Sequence, residues 1–214
     1  MNGTERTHVV LGDVVDSRSD PDREALRDRI EEALAAVNEE YADAVGAAFA
    51  PIKGADEFGG TLRDPGVAYG VVRTIQERLH PTVARYAVVA GAVDVNPGAS
   101  DVTAMDGPAF HRADEALAEL TDAGGAFLVD TGDARADDLA TAAGDLALAV
   151  REEWTDRQAE VVRAYRRHET QTAVAEALGV STQAVSKTLS AARYDRVRRA
   201  EARIERALGA EPDR

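Results

Sequence analysis

A tight turn between two helices constrains this chain more than any other stretch. Ala175 lies four residues before Gly179 and ten before Val185. A small residue at 175 lets the next helix approach closely, and Gly179 can take the left-handed conformation that ends a helix. The spacing predicts a helix over 170–178 that buries Val174, Ala175 and Leu178. After Val180, Ser181 caps a third helix that turns Val185 and Leu189 inward. Upstream, Thr155 is a good N-cap, Asp156 suits a first turn, and Val161, Val162 and Tyr165 share one helix face. Residues 154–194 thus read as a helix-turn-helix unit.

If the third helix enters a major groove, its outward residues are Thr182, Gln183, Ser186, Lys187, Ser190 and Arg193. Hydroxyls, an amide and cations are the groups that read base edges and hold phosphates of double-stranded DNA. Arg166, Arg167 and the arginines from 193 to 206 add positive charge around them. A helical packing unit with an ordinary solvated face is the blander alternative. The run from Thr155 to Lys187 resembles region 4 of sigma-70-type factors, which implies major-groove binding. Nothing upstream resembles a polymerase-binding or promoter-melting region. Residues 195–208 continue as a charged helix with Val197, Ala200, Ile204, Ala207 and Leu208 in an apolar stripe, expected to pack on the body or on a second copy in a homodimer.

A net charge of -14 looks wrong for a DNA binder until it is divided by segment. Residues 151–214 hold 13 Arg/Lys and 11 Asp/Glu; residues 1–150 hold 12 and 28, a net of -16. This asymmetry points to two parts with different partners: a domain over 1–150 and a small all-α domain over 151–214. Only Lys53 and Lys187 are lysines, and so acidic a surface is of the halophilic type that stays soluble in concentrated salt. The chain has no cysteine for disulfides or thiolate metal sites, no signal-peptide pattern and no apolar run approaching the ~20 residues of a membrane span. A cytoplasmic protein without a membrane role is the expectation.

The first 150 residues alternate between strand and helix patterns. Strands are expected over 7–11, 47–52, 58–62, 86–93 and 126–129. Helices are expected over 23–41, 66–79, 108–120 and 139–150. The order β-α-β-β-α-β-α-β predicts an α/β fold, a ferredoxin-like palm sheet faced by helices. In such a sheet the end of the first strand lies beside the hairpin between the second and third. That would bring Asp13 near Asp56 and Glu57, with Asp16 close by. Clustered carboxylates beside glycines suit a hard cation such as Mg2+ or Mn2+, with nucleotide phosphates completing its shell. Turn acids in an acidic domain would look the same.

Val10-Leu11-Gly12-Asp13-Val14-Val15-Asp16-Ser17-Arg18 and Lys53-Gly54-Ala55-Asp56-Glu57-Phe58 resemble the paired motifs of the SatD family. They are also similar to the palm domains of class III nucleotidyl cyclases and GGDEF-type cyclases. The likeness covers roughly residues 7–130, and Gly91 and Asp106-Gly107-Pro108-Ala109-Phe110 resemble a later cyclase segment. The cyclase likeness implies that Asp13 and Asp56 hold metal ions. Departures accompany it: His111 and Glu115 stand where those cyclases carry an Asn and a transition-state Arg. A carboxylate there would repel developing phosphate charge. Lys53 stands three residues before Asp56 rather than four, and Ala55 replaces a glycine of the GGDEF signature.

These features lead to three readings. One is a DNA-binding transcriptional regulator whose acidic domain binds a nucleotide, metal ion or partner. Another is a metal-dependent palm enzyme acting on nucleotides, as a cyclase or phosphohydrolase. A protein-binding scaffold is the third. The four histidines are too scattered for a metal site, and Ser17 and Thr131 lack a nearby base pattern.

Overall fold

A computed structural model describes residues 6–17, 21–54 and 56–209. Arg18 and Ala55 of the two motifs lie outside them. Five strands form one sheet: β1 (Thr7–Val14), β2 (Ala50–Lys53), β3 (Glu57–Leu62), β4 (Ala84–Gly91) and β5 (Phe127–Asp130). Among the described residues there are eight helices: α1 (Arg23–Glu40), α2 (Ala68–Leu79), α3 (Pro108–Ala123), α4 (Ala134–Glu152), α5 (Asp156–His168), α6 (Gln171–Leu178), α7 (Thr182–Ala191) and α8 (Tyr194–Gly209). The expected order of strands and helices is present throughout.

The sheet order is β2-β3-β1-β4-β5, with β5 alone parallel to its neighbour β4. β1 is therefore central, and its side chains alternate between two cores. Val10 and Val14 join Phe58, Tyr86, Val88 and the apolar faces of α1, α2 and α4. Val9 and Leu11 join Ala87, Val89 and α3 on the other face. Gly12 is required by a close approach: a Cβ there would lie 2.3 Å from Cε2 of Phe58.

Helices α5, α6 and α7 carry side-chain caps and a tight turn between them. Thr155 makes a capping box with Gln158, and the Thr170 and Ser181 side chains accept from the amides of Ala173 and Ala184. Gly179 sits at φ +66° and Val180 donates to the carbonyl of Ala175 at 2.9 Å, closing α6 and turning the chain into α7. Val174, Val185 and Leu189 are buried between α5, α6 and α7.

The apolar stripe of α8 has its partner within the chain. Val197, Ile204 and Leu208 are buried in the same continuous cluster as α1, α2 and α4, and α8 lies along α4 and the short 3-10 turn Pro65–Val67. That packing consumes the face that would otherwise have been offered to a second copy. The expected boundary at residue 150 falls inside the last turns of α4, and a single cluster joins the sheet to α5–α8. No helix among the described residues is long and apolar enough to cross a membrane.

Candidate functional site

Burying Val185 and Leu189 turns the opposite face of α7 outward. Thr182, Gln183, Ser186, Lys187 and Ser190 are exposed on it, and Arg193 is exposed in the turn that follows, at φ +53°. A cleft of about 610 Å³ adjoins this face, with Gln171, Ser186, Ser190, Arg193, Arg196 and Arg199 on its walls. The end of α7 is fixed by the indole of Trp154, which donates to the carbonyl of Ala192 at 2.9 Å.

The acidic residues converge at the far end of β1. Asp13 is in direct register with Glu57 on β3, and the Val14 amide donates to the Asp56 carbonyl at 3.1 Å. Ser17 donates its hydroxyl proton to Oδ2 of Asp56. Asp13 is also in register with Arg85 on β4, so β3, β1 and β4 present Glu57, Asp13 and Arg85 as one row on one face. Sequence reading missed Arg85, because only strand register places it there.

Lys53 bridges this row to α3, lying 3.2 Å from Glu57 and 3.3 Å from Asp114. Burial pushes the Glu57 carboxyl above its ordinary range; Asp114 and Asp13 add to the rise, and Lys53 opposes it. Among the described residues, no group of three His, Cys, Asp or Glu side chains is placed to hold a metal ion. A cation at this strand end would have few chain carboxylates, so most of its oxygens must come from a phosphate ligand or water, a pattern Mg2+ tolerates. Of the cyclase-like positions, His111 pairs with Asp106 at 3.2 Å, while Glu115 is exposed on α3.

A second charged centre lies where α2, α4, α5 and α8 meet. Arg151 of α4 reaches Glu77 of α2 at 3.0 Å and Glu201 of α8 at 3.1 Å. Arg166 of α5 reaches Glu77 at 2.9 Å and Glu201 at 2.8 Å. Arg151 also stacks over the Trp154 ring and Arg166 over Tyr194. Arg166 is therefore committed to the interior rather than to the exposed charge beside α7. One sequence signal marked this centre: Glu201 interrupts the apolar stripe of α8, four residues after Val197.

A mixed five-stranded sheet, faced by helices and sharing its core with α5–α8, defines an α/β protein with two candidate sites. The chain belongs to the SatD family, whose model matches residues 8–202. No curated protein matches it. Solved structures similar to it include two of a bacterial light-regulated adenylyl cyclase. One has a TM-score of 0.44 and 14% identity, covering 58% of this chain and 42% of the cyclase chain. The other has a TM-score of 0.42 and 13% identity, with the same coverage. The chain thus matches less than half the length of these neighbours.

Proposed function

We propose that this protein is a DNA-binding transcriptional regulator that lays α7 in the major groove and binds a nucleotide, with Mg2+ or Mn2+, at the Asp13–Asp56 end of its sheet. The observation that carries the reading is the division of α7 itself. Its apolar positions are buried, while a face of hydroxyl, amide and ammonium groups stands free beside Arg193, Arg196 and Arg199. Short polar side chains on a supported helix read base edges, and flanking guanidinium groups hold phosphates. A two-fold DNA site would engage the protein as a homodimer. The surrounding negative charge opposes binding at low salt and is screened in concentrated salt.

A map of chromosomal DNA bound in the cell would supply the site, and anisotropy titrations would then test the residues. Lys187→Ala should weaken binding about equally on all sequences and lower the salt slope by about one. Gln183→Ala should instead relax discrimination at one base pair, worth about 1–3 kcal/mol. Unchanged affinity, slope and specificity in both variants would sink the reading.

The row of Glu57, Asp13 and Arg85 favours a second reading, a metal-dependent enzyme acting on nucleotides. Asp13 and Asp56 would hold the metal, and Arg85 would meet a phosphate. Incubation with Mn2+ and each nucleoside triphosphate, followed by chromatography, tests it. Turnover abolished by Asp13→Ala would establish the enzyme, and no product with any triphosphate would remove it.

A further inference from the structure

A cleft of about 580 Å³ opens where α2, α5 and α8 meet, sharing Tyr165 and Tyr194 with the cleft beside α7. Six arginines line it against three glutamates. Two of the arginines are already occupied, since Arg166 binds Glu77 and Glu201, and Arg73 lies 3.4 Å from Glu205. Among the described residues, Arg78, Arg163, Arg167 and Arg198 form no ion pair. Arg78 and Arg163 donate only to the backbone carbonyls of Thr74 and Glu77.

This concentration is out of keeping with the rest of the chain. Acidic groups outnumber basic ones 39 to 25, so a cation has many carboxylates to choose from. Four unpaired guanidinium groups around one concave surface repel one another, and that repulsion is relieved by an anion. Planar guanidinium forks match the oxygens of a phosphate in bidentate geometry. Of the three glutamates, Glu77 is held by Arg151 and Arg166, which leaves Glu40 and Glu169 facing these four guanidinium groups.

We propose that this cleft is a phosphate-binding site, distinct from both the α7 face and the Asp13 end of the sheet, in which Arg167 and Arg198 grip a polyphosphate. The phosphate comes either from a free ligand or from the DNA backbone running past α7. The proposal rests on the helix-turn-helix reading only for the second source.

Tripolyphosphate binding to the full chain, measured by calorimetry without metal and at ionic strength matched with KCl, tests the first source. Salt-dependent DNA titration tests the second. The probe variant is Arg167→Gln with Arg198→Gln, with Arg198→Gln alone as the milder form and the double Lys substitution as charge-preserving control. A tenfold or greater weakening of tripolyphosphate binding, restored in part by Lys, with DNA affinity unchanged, assigns a free ligand. Absence of tripolyphosphate binding by the wild type, with a DNA salt slope lowered by about two in the double variant, assigns the backbone. Changes in both assign both sources. A double variant that matches the wild type in both titrations overturns the proposal. A wild-type chain that binds tripolyphosphate but no DNA keeps the cleft and removes the regulator reading.

Discussion

Arg166 and Glu201 are separated by 35 residues in sequence and meet in a doubly bonded ion pair, one guanidinium nitrogen lying 2.9 and 2.8 Å from the two carboxylate oxygens. The carboxylate is only 2% exposed and also receives Arg151, itself 4% exposed. α4, α5 and α8 therefore meet at one buried carboxylate, and Glu77 adds α2 to the same cluster.

Removing that carboxylate leaves the buried Arg151 and the half-buried Arg166 sharing Glu77 alone. Glu201→Ala should lower unfolding stability by about 3–5 kcal/mol, the usual cost of breaking a buried pair from one side. Urea denaturation checks this, and a loss under about 1 kcal/mol would mean that water already solvates the cluster.

Gly12→Ala should overpack the sheet beside Asp13. The new methyl would press on the ring of Phe58, which is 1% exposed. About 1–3 kcal/mol of destabilisation is expected, read as a lower Tm. Adding Phe58→Leu should recover part of it; an equal loss in the double variant would place the strain elsewhere.

Glu57 ties stability to pH. Its carboxyl titrates above its unfolded value, chiefly through burial, so the folded state holds the proton more tightly. The stabilisation is fully present below the unfolded pKa and is lost as pH rises through the folded one. In metal-free buffer, the Tm of Glu57→Gln relative to wild type should climb as pH rises from 4 to 7. A flat difference across that range would contradict the assignment.

Salt should stabilise the fold. Screening weakens repulsion among 39 acidic groups more than it weakens the buried pairs. A melting series in KCl should rise from 0.1 M to about 2 M, and a falling series would reject the halophilic reading of the surface.

The element order and helices α5–α7 were legible in sequence because short-range rules govern them: strand and helix patterning, caps at Thr155 and Ser181, and a left-handed glycine at 179. α4 was read five residues short at its start because its pattern is inverted. Leu139 and Leu146 face solvent, while Asp137 and Arg151 face inward. Asp137 accepts from the amides of Thr131 and Gly132, holding the loop after β5. Strand order brought Asp13 to Glu57 as the βαββ pattern implies. Arg85 was out of reach, since its place depends on the antiparallel register of β4. The buried arginine–glutamate cluster joins residues 50 and 74 positions apart, beyond any local pattern.

The return of α8 onto α4 makes the last helix a keystone rather than a tail. A chain cut after residue 193 would keep every residue of α7. It would lose Val197, Glu201, Ile204 and Leu208, and with them the wall that closes the core over α2 and α4. Isolating α5–α7 at either side would therefore expose hydrophobic surface and strand buried charge. The outer helices and the acidic body stand or melt as one piece.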